Sequence, residues 1–474
     1  MTGLELLTAG AVVVSTAVVV LAALQNLIQI LQLGLAAVAL GRRPPERLAT
    51  QLWRRYSDGA PPITLMAPAY NEELTIVESV RSLLNLYYPQ FEVVVVNDGS
   101  KDGTLTALIA AFELTPTRRA FEPATRSAPI RGLYASASQP RLLVIDKENG
   151  GKADALNAAI NIARSPLVCT IDADSLLEPS ALLRAVQPFI DDPERVVAVG
   201  GSIRIANGCR IDHGRLVDIR LPTNLLALFQ TVEYLRAFLM ARMASSELQA
   251  STIISGAFGL FDRRALLQVG GYSHGTVGED MELVIKLHRW FRDHRRPYSI
   301  AFLPEPVCWT EVPETLASLG RQRQRWQRGA LETFAKHADM LVKPHYGRVA
   351  AVGMTQVLIT DVLGPIVELL GYCLLPVLCA LGLLSWSFFG AFLALSVGFG
   401  MAISVGGLAL EEAQLRRATR LADLFLLFGV SLLEHFGYRQ LCNFFRVQGA
   451  WLFLRGATEW GAMSRKGFQS IRAS

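Results

Sequence analysis

Three acidic strings and one basic, aromatic string follow one another along the chain, and their residue types could carry chemistry. They are Asn97-Asp98-Gly99-Ser100, Asp172-Ala173-Asp174, Gly278-Glu279-Asp280 and Gln322-Arg323-Gln324-Arg325-Trp326. Each has an ordinary explanation when it stands alone: a turn, a surface pair, a helix cap or an amphipathic helix. Their order along one chain is what favours a functional interpretation.

Asp172 and Asp174 are separated by one small residue and follow the apolar run from Leu167 to Ile171. Alternate side chains of an extended segment point the same way, so both carboxylates reach one side. Such a pair of hard oxygen ligands suits Mg²⁺ or Mn²⁺ bridging the phosphates of a nucleotide. We therefore expect a metal site here.

Two further strings could bind a nucleotide. Asp98 ends an apolar run and can present a carboxylate to a base or ribose, although a turn followed by a helix cap explains the same residues. Gly150-Gly151-Lys152 opens a helical pattern and offers N–H groups and a cation to phosphate. The spacing of a P-loop is missing, so the string is not one.

Glu279 and Asp280 begin an amphipathic pattern that includes Leu283, Val284 and Leu287. Carboxylates that cap a helix N-terminus are common, and capping is the default explanation for one such pair. A general base for a hydroxyl needs the same features, namely a fixed carboxylate near cations. Both explanations stay open on the residues alone.

The elements that must position these residues follow an α/β pattern. Apolar β-branched runs begin at Ile63, Phe91, Leu142 and Leu167, with helical stretches near 73–86, from 103 and near 152–163. This alternation predicts a mostly parallel sheet. Ligands of such sheets bind beyond the carboxyl ends of the strands. Tyr70-Asn71-Glu72 and two of the acidic strings fall there, whereas residues 115–140 are predicted to be a long loop or lid.

The composition indicates a soluble body combined with membrane segments. The chain has 474 residues, of which 51% are hydrophobic and 18% charged, and the apolar residues concentrate in 9–40 and 349–455. The uncharged segment 9–40 exceeds the ~20 residues that cross a bilayer. A signal peptide is disfavoured because the N-terminus carries only Glu5 and no basic residue.

Basic residues follow this first helix at positions 42, 43, 47, 54 and 55, and none precedes it. The positive-inside rule therefore predicts a cytoplasmic body. The six cysteines form no CxxC pair, which fits structural thiols in a reducing compartment. The net charge of +5 fits flanks that face anionic lipid, and no basic and aromatic pattern indicates nucleic acid.

The C-terminal apolar region predicts three or four crossings in addition to the N-terminal one. Residues 372–410 are uncharged and long enough for a helical hairpin that turns near 385–387. Residues 350–370 could be a span or an interfacial helix. Residues 424–454 are interrupted by Glu434, His435, Arg439 and Arg446, which either face a protein interior or lie at headgroup level.

Taken together, the four strings closely resemble those of the processive inverting family-2 glycosyltransferases of membranes, such as poly-N-acetylglucosamine, hyaluronan, chitin and cellulose synthases. The resemblance covers roughly residues 60–335. It implies a glycosyltransferase A-type fold, flanked by membrane and interfacial helices, and a nucleotide-diphosphate sugar donor. Predicted boundaries are a transmembrane helix at 1–41, a basic linker at 42–60, the glycosyltransferase domain at 61–312, interfacial helices at 313–348, membrane helices at 349–455 and a basic tail at 456–474.

The resemblance also implies residue roles. Asp98 with Tyr70, Asn71 and Glu72 would hold the uridine end, Asp172 and Asp174 the metal, and Lys152 the donor. Asp280, beside Glu279, would be the catalytic base. Gln322, Arg325 and Trp326 would lie on an interfacial helix, with Arg325 near the diphosphate and Trp326 beneath the acceptor sugar, as suits a guanidinium and an indole face.

The expected activity is sugar transfer from a UDP-sugar to a growing polysaccharide at the inner membrane, coupled to export. Gly278 stands where bacterial cellulose synthases usually have threonine. The string from Val277 to Leu283 and the single N-terminal span look more like those of the N-acetylglucosamine polymerising enzymes, and this resemblance implies UDP-N-acetylglucosamine as the donor. One alternative is transfer of a single sugar to a lipid carrier or glycolipid. Another is a membrane transport or scaffold protein that only binds nucleotide. Export or modifying proteins are plausible partners.

Overall fold

The computed structural model describes residues 3–43, 49–173, 175–212, 215–415 and 420–456. Its strands are β1 (Ile63–Ala69), β2 (Phe91–Asp98), β3 (Leu114–Thr117), β4 (Ile130–Ser136), β5 (Leu142–Lys147), β6 (Leu167–Ile171), β7 (Leu176–Leu177), β8 (Val196–Ile205), β9 (Arg210–Asp212), β10 (Arg215–Asp218), β11 (Phe258–Asp262) and β12 (Ser299–Thr310).

The α-helices are α1 (Gly3–Gly41), α2 (Ala49–Tyr56), α3 (Ile76–Leu84), α4 (Thr104–Phe112), α5 (Lys152–Ile162), α6 (Ala181–Ala185), α7 (Gln187–Asp191), α8 (Leu225–Leu235), α9 (Met243–Glu247), α10 (Arg263–Gln268), α11 (Glu279–Asp293), α12 (Leu316–His337), α13 (Gly364–Ala380), α14 (Trp386–Leu393), α15 (Phe399–Leu415), α16 (Leu421–Leu433) and α17 (Tyr438–Leu454). Segments of π-helix lie at Arg236–Arg242, Val349–Met354, Val357–Leu363 and Ala394–Gly398, and 3₁₀ turns at Ala338–Val342 and Pro344–Tyr346.

The chain divides into two units. The α/β unit comprises the described residues of 49–223 and 251–312, and the helical unit those of 3–43, 224–250 and 313–456. Residues 224–250 cluster with the helical unit, although the sequence-based boundaries place them inside the 61–312 segment.

A ten-stranded sheet in the order β3-β4-β5-β2-β1-β6-β11-β8-β12-β7 forms the core of the α/β unit. The central strands β5, β2, β1 and β6 are mutually parallel, as the α/β pattern predicts. On one side β11 runs antiparallel to β6 and β8, and on the other β4 runs antiparallel to β5. The sheet is therefore mixed, and the parallel strands bring the ends of β1, β2 and β6 to one edge.

The prediction of a long loop or lid at 115–140 is wrong for part of that segment. β3 and β4 pair with each other, and β4 pairs with β5, so both belong to the sheet. The segment between them is also held to the protein, because Arg119 pairs with Glu92 at 2.8 Å. Pro116 obscured β3 in the sequence, because proline is confined within sheets to positions such as an edge strand, which β3 is.

Three helical segments of the helical unit are long and apolar enough to cross a membrane: Ala9–Gly41, Val349–Ala380 and Trp386–Ala413. The α16 and α17 helices pass the same test as a pair that is bent by 56°. Up to four crossings therefore fit the described residues by length and composition, of which three are C-terminal. The predicted turn of the hairpin is confirmed, because α13 ends at Ala380 and α14 begins at Trp386. The first arm of the hairpin begins at Val349, however, so residues 350–370 belong to that arm and do not form a separate helix.

The ionisable residues at the bend between α16 and α17 face the protein interior. Glu434 and His435 are each 1% exposed. Glu434 accepts hydrogen bonds from Arg236 and from Ser404, and Arg439 pairs with Glu368 at 2.8 Å. Of the two positions that the sequence left open for Glu434 and His435, the interior one is therefore correct.

α12 and α17 pack closely within the helical unit. A Cβ atom on Gly449 would lie 2.6 Å from the carbonyl oxygen of Gln324, so only glycine allows the two backbones this distance. Gln324 donates to Gln448 at 2.9 Å, and Arg446 donates to Gln327 at 2.9 Å. The basic, aromatic string is thus fixed against α17.

Candidate active site

The Asp98 carboxylate organises the turn that opens α5. Asp98 is the last residue of β2 and is 3% exposed. Its oxygens accept hydrogen bonds from the Lys147 ammonium at 2.5 Å, the Gly150 N–H at 3.0 Å and the Gly151 N–H at 2.8 Å. Gly151 has a φ of +86°, which explains the need for glycine there. Asp98 therefore holds the backbone of this turn in place, a role that the sequence does not indicate.

Lys147 is a buried cation that the sequence analysis missed. Its side chain is fully buried between two carboxylates, with its ammonium 2.5 Å from Asp98 and 2.6 Å from Asp154. Burial would raise the pKa of Asp154, but hydrogen bonds from Lys147, Ala128 and His274 hold it below its usual range. The only signal in the sequence is a lysine at the end of an apolar strand, which has no specific meaning by itself.

Lys152 lies at the first turn of α5 and connects two other acidic residues. Its ammonium donates to Asp172 at 2.5 Å and lies 3.3 Å from Glu279. Burial alone would lower the pKa of Lys152, but the carboxylates of Asp172 and Glu279 raise it above its usual range. The ammonium is therefore charged at neutral pH.

Asp280 is held at the N-terminal end of α11. One carboxylate oxygen accepts from the Gly256 N–H at 3.1 Å and the other from the Met281 N–H at 2.8 Å. A Cβ atom on Gly256 would lie 2.6 Å from the Lys152 ammonium nitrogen and 3.8 Å from an Asp280 oxygen. Lys152, Asp280 and the backbone of Gly256 therefore share one small volume.

Glu279 completes this cluster. It is 7% exposed, and burial raises its pKa above the usual range, although the positive charge of Lys152 opposes the shift. Burial thus makes Glu279 a stronger proton acceptor than an exposed glutamate. The cluster of Lys152, Asp172, Glu279 and Asp280 can therefore hold a cationic group and accept a proton.

The loop after β1 lies beside the turn after β2. The Asn71 N–H donates to Ser100 at 3.0 Å, and the Lys101 N–H donates to the Asn71 side chain at 2.9 Å. Asn71 has a φ of 57°, a left-handed conformation that asparagine tolerates well. Tyr70 is 46% exposed, so its ring is available to a ligand. The expectation that the two strings meet at one sheet edge is confirmed.

The predicted metal pair is described only in part. Asp172 follows β6, as expected, but Asp174 lies outside the described residues. Among the residues that are described, no group of three or more His, Cys, Asp or Glu residues is arranged to hold a metal ion. The donor chemistry still fits a hard cation, because the Asp172 and Glu279 oxygens already converge on the positive charge of Lys152.

Gln322, Arg325 and Trp326 lie on α12 of the helical unit. Gln322 is 8% exposed and Trp326 is 39% exposed, so the two side chains have different surroundings. The carboxamide oxygen of Gln322 is buried and has no hydrogen-bond partner among the residues that the structure describes. The prediction that this string lies on a helix is confirmed.

The chain matches the family model described as Glycosyltransferase like family 2 over residues 61–329. Because that match covers more than half of the 474 residues, the chain belongs to this family. The α/β unit accordingly has a glycosyltransferase A-like fold with a mixed, mostly parallel sheet. The family match includes all the predicted site residues from Tyr70 to Trp326.

Two curated relatives are both named poly-beta-1,6-N-acetyl-D-glucosamine synthase. The Staphylococcus epidermidis protein is 29% identical over 275 residues, and that of Staphylococcus aureus strain COL is 30% identical over 275 residues. Each match covers 58% of this chain and 56% of the relative. The chain thus spans about half the length of the curated relatives it matches.

Solved structures with a similar fold include a mannosyltransferase of Pyrobaculum calidifontis in complex with GDP-Man and Mn²⁺. It is 20% identical, covers 92% of this chain and 99% of its own, and has a TM-score of 0.47. Staphylococcus aureus TarS 1-349 in complex with UDP-GlcNAc is 16% identical, covers 83% of this chain and 92% of its own, and has a TM-score of 0.36.

Proposed function

We propose that this protein is an inverting glycosyltransferase that transfers a sugar from a UDP-sugar to a growing polysaccharide. UDP-N-acetylglucosamine is the favoured donor, because the matched relatives are named for polymers of that sugar. The observation that carries the proposal is the cluster of Lys152, Asp172, Glu279 and Asp280, which lies inside the family match.

In the proposed reaction the acceptor hydroxyl oxygen attacks the anomeric carbon, the bond from that carbon to the diphosphate breaks, and UDP leaves. Asp280 takes the hydroxyl proton, since hydrogen bonds from the Gly256 and Met281 N–H groups orient its carboxylate. Lys152 offers positive charge to the departing diphosphate. One carboxylate base suffices for a single displacement, so the configuration at the anomeric carbon is inverted.

The nucleotide end of the donor would border the edge formed by the ends of β1 and β2. Tyr70 offers an exposed ring, Asn71 and Glu72 offer polar atoms, and Asp98 fixes the adjoining turn. Asp172 and Asp174 would hold Mg²⁺ or Mn²⁺, whose chemistry is to neutralise the charge of the diphosphate. The α12 residues Gln322, Arg325 and Trp326 would serve the acceptor and the diphosphate.

We place the α/β unit on the cytoplasmic side of the inner membrane. UDP-sugars are cytoplasmic, and basic residues follow the first candidate span while none precedes it. The extended product would then pass into or across the membrane helices. Proteins that export or modify the polymer are the expected partners.

The test is a donor screen on the purified full chain in detergent or nanodiscs, with Mg²⁺ or Mn²⁺, that reports UDP release and product length. Polymer formation from UDP-N-acetylglucosamine, lost on chelation of the metal, is the expected result. Asp280→Asn should reduce transfer about a hundredfold to ten-thousandfold while donor binding persists. Asp293→Asn, an exposed carboxylate at the other end of α11, is the matched control and should retain activity.

Three outcomes contradict parts of this proposal. Absence of UDP release with every donor excludes the enzyme. Addition of a single sugar to the acceptor excludes polymerisation and favours transfer to a lipid carrier or glycolipid. Full activity of Asp280→Asn excludes Asp280 as the base and leaves nucleotide binding as the main role of the cluster.

A further inference from the structure

Arg323 occupies the second position of the Gln322-to-Trp326 string, where a family pattern written Gln-x-x-Arg-Trp assigns no role. Its side chain is 1% exposed and is among the largest fully buried side chains of the described residues. A buried guanidinium is costly unless it is paired, so a reason for its position is required.

The partners of Arg323 come from two other helices of the helical unit. One terminal nitrogen of its guanidinium lies 2.6 Å from a Glu233 carboxylate oxygen of α8 and 3.2 Å from the hydroxyl of Tyr438, the first residue of α17. The Tyr438 hydroxyl donates to the same Glu233 oxygen at 2.7 Å, and its ring stacks on Phe229 with 4.9 Å between centroids. The guanidinium is therefore fixed by groups outside α12.

The guanidinium also covers one face of Trp326. Its central carbon lies 4.2 Å from the centroid of the indole, while the Trp326 side chain as a whole is 39% exposed. A cation over an aromatic face is attractive, most of all for tryptophan. The indole thus meets a cation on one face and retains exposed surface for a ligand.

A role limited to anchoring the fold explains these contacts less well. The Nε atom and the other terminal nitrogen of Arg323 are buried and have no hydrogen-bond partner among the described residues. An arginine that served only as an anchor would use its planar fork to form several hydrogen bonds. Here one nitrogen makes the polar contacts, and the central carbon of the group lies over the indole.

We infer that Arg323 is a positioning residue which holds the indole of Trp326 in one orientation, as a platform for the acceptor sugar. The inference rests on the proposed function, since it requires that Trp326 contacts a sugar. The apolar C–H groups of a sugar ring then stack on the face opposite Arg323. Glu233 and Tyr438 position Arg323 in turn.

The test compares Arg323→Met with Arg321→Met in the full chain. Arg321 stands two residues earlier on α12, and its hydrogen bond is to Ser318 of the same helix. The acceptor probe is a short β-1,6-linked N-acetylglucosamine oligosaccharide. For Arg323→Met we expect the acceptor KM to rise about two- to thirtyfold, which corresponds to the free energy of a lost cation–π contact. The KM rises because the indole of Trp326 spends less time in the orientation that binds the acceptor. The donor KM and the release of UDP without acceptor should stay close to those of the unchanged chain, as should all properties of Arg321→Met.

Arg323→Lys guards against failure of the methionine variant to fold. Lysine keeps the charge beside Glu233 but lacks the planar group, so the acceptor KM should still rise while thermal stability is retained. In a double-mutant cycle with Trp326→Phe, the two effects on acceptor KM should be strongly non-additive. Additive effects, or equal losses in donor and acceptor parameters, would overturn the inference.

A readout without catalysis separates this inference from the proposed function. The fluorescence of Trp326, taken as the difference between the unchanged chain and Trp326→Phe, should respond to the oligosaccharide and should shift in Arg323→Lys. If the unchanged chain releases no UDP with any donor, the proposed function fails; a fluorescence response to the oligosaccharide would still support the platform. If Arg323→Lys leaves both that fluorescence and the acceptor KM unaltered, Arg323 does not position the indole.

Discussion

His288 provides a pH-dependent test of how α11, the helix that begins with Glu279 and Asp280, is held in place. Its ring is fully buried, and Nε2 lies 2.6 Å from the carbonyl oxygen of Ser251, which can only accept. Nε2 therefore carries the proton, and Nδ1 accepts from the Tyr298 hydroxyl at 2.7 Å. Ser251 precedes Gly256, whose N–H donates to Asp280. A neutral His288 thus connects α11 to the segment that orients the proposed base.

The magnitude follows from the shift in proton affinity. Burial, with a smaller contribution from the nearby Arg292 charge, lowers the pKa of His288 to about 4. In the unfolded chain the pKa of a histidine is about 6.5, so the unfolded state takes up a proton first as the pH falls. Stability is therefore fully present above about pH 6.5 and declines toward about pH 4. The limiting loss is about 3 kcal/mol, of which about 2 kcal/mol is lost by about pH 5.

The assay is thermal unfolding of the full chain in detergent at about pH 7.5 and about pH 5, for the unchanged chain and for His288→Gln. A loss of about 2 kcal/mol corresponds to a fall of roughly 4–8 °C in the midpoint for a unit of this size, and that part of the pH dependence should be absent from His288→Gln. His294→Gln is the control, because His294 is exposed one residue after α11 and should leave the pH dependence intact. Equal pH dependence in the unchanged chain and His288→Gln would refute the reasoning.

Two other substitutions test the packing of each unit. Gly449→Ala should destabilise the helical unit by about 1–3 kcal/mol, because the new methyl group meets the backbone of Gln324. The control is Gly429→Ala of α16, which has open space around its Cβ position and should be neutral or slightly stabilising. Thermal unfolding midpoints in detergent compare the two variants, and equal midpoints would contradict the close approach of α12 and α17. Lys147→Met should lower the free energy of unfolding by about 3–5 kcal/mol, because it leaves the buried carboxylate of Asp98 without its cation. A thermal unfolding midpoint close to that of the unchanged chain would show that the fold does not need this ion pair.

The positions of the site residues along the fold were predictable because they depend on strand ends. Strands ending at Ala69, Asp98 and Ile171 lie within a few residues of the predicted runs, and parallel pairing then brings Asn71 beside Ser100. Hydrophobic periodicity locates such runs, and the polar strings that follow them mark where the runs end. The start of α11 at Glu279 was predictable for the same reason.

The partners of these residues were not predictable, because they depend on side chains that are distant in the sequence. The role of Asp98 at the uridine end stays a prediction, but the structure adds that its carboxylate accepts from Lys147 and from two glycine N–H groups about fifty residues away. Nothing in the local sequence distinguishes a carboxylate that binds a ligand from one that shapes a turn. Only the three-dimensional positions of the donors decide between the two.

The same distinction bears on how positive charge is distributed in the α/β unit. Lys147 and Lys152 stand five residues apart, yet Lys147 is fully buried between Asp98 and Asp154, whereas Lys152 retains some exposure beside Asp172. A buried, fully paired ammonium cannot move to a diphosphate without leaving two carboxylates uncompensated. Lys152 can do so at lower cost, because a donor with its divalent cation would supply the charge that Asp172 and Glu279 lose. Of the two lysines, Lys152 therefore fits the proposed role at the donor better, and Lys147 holds the turn after β5 in shape.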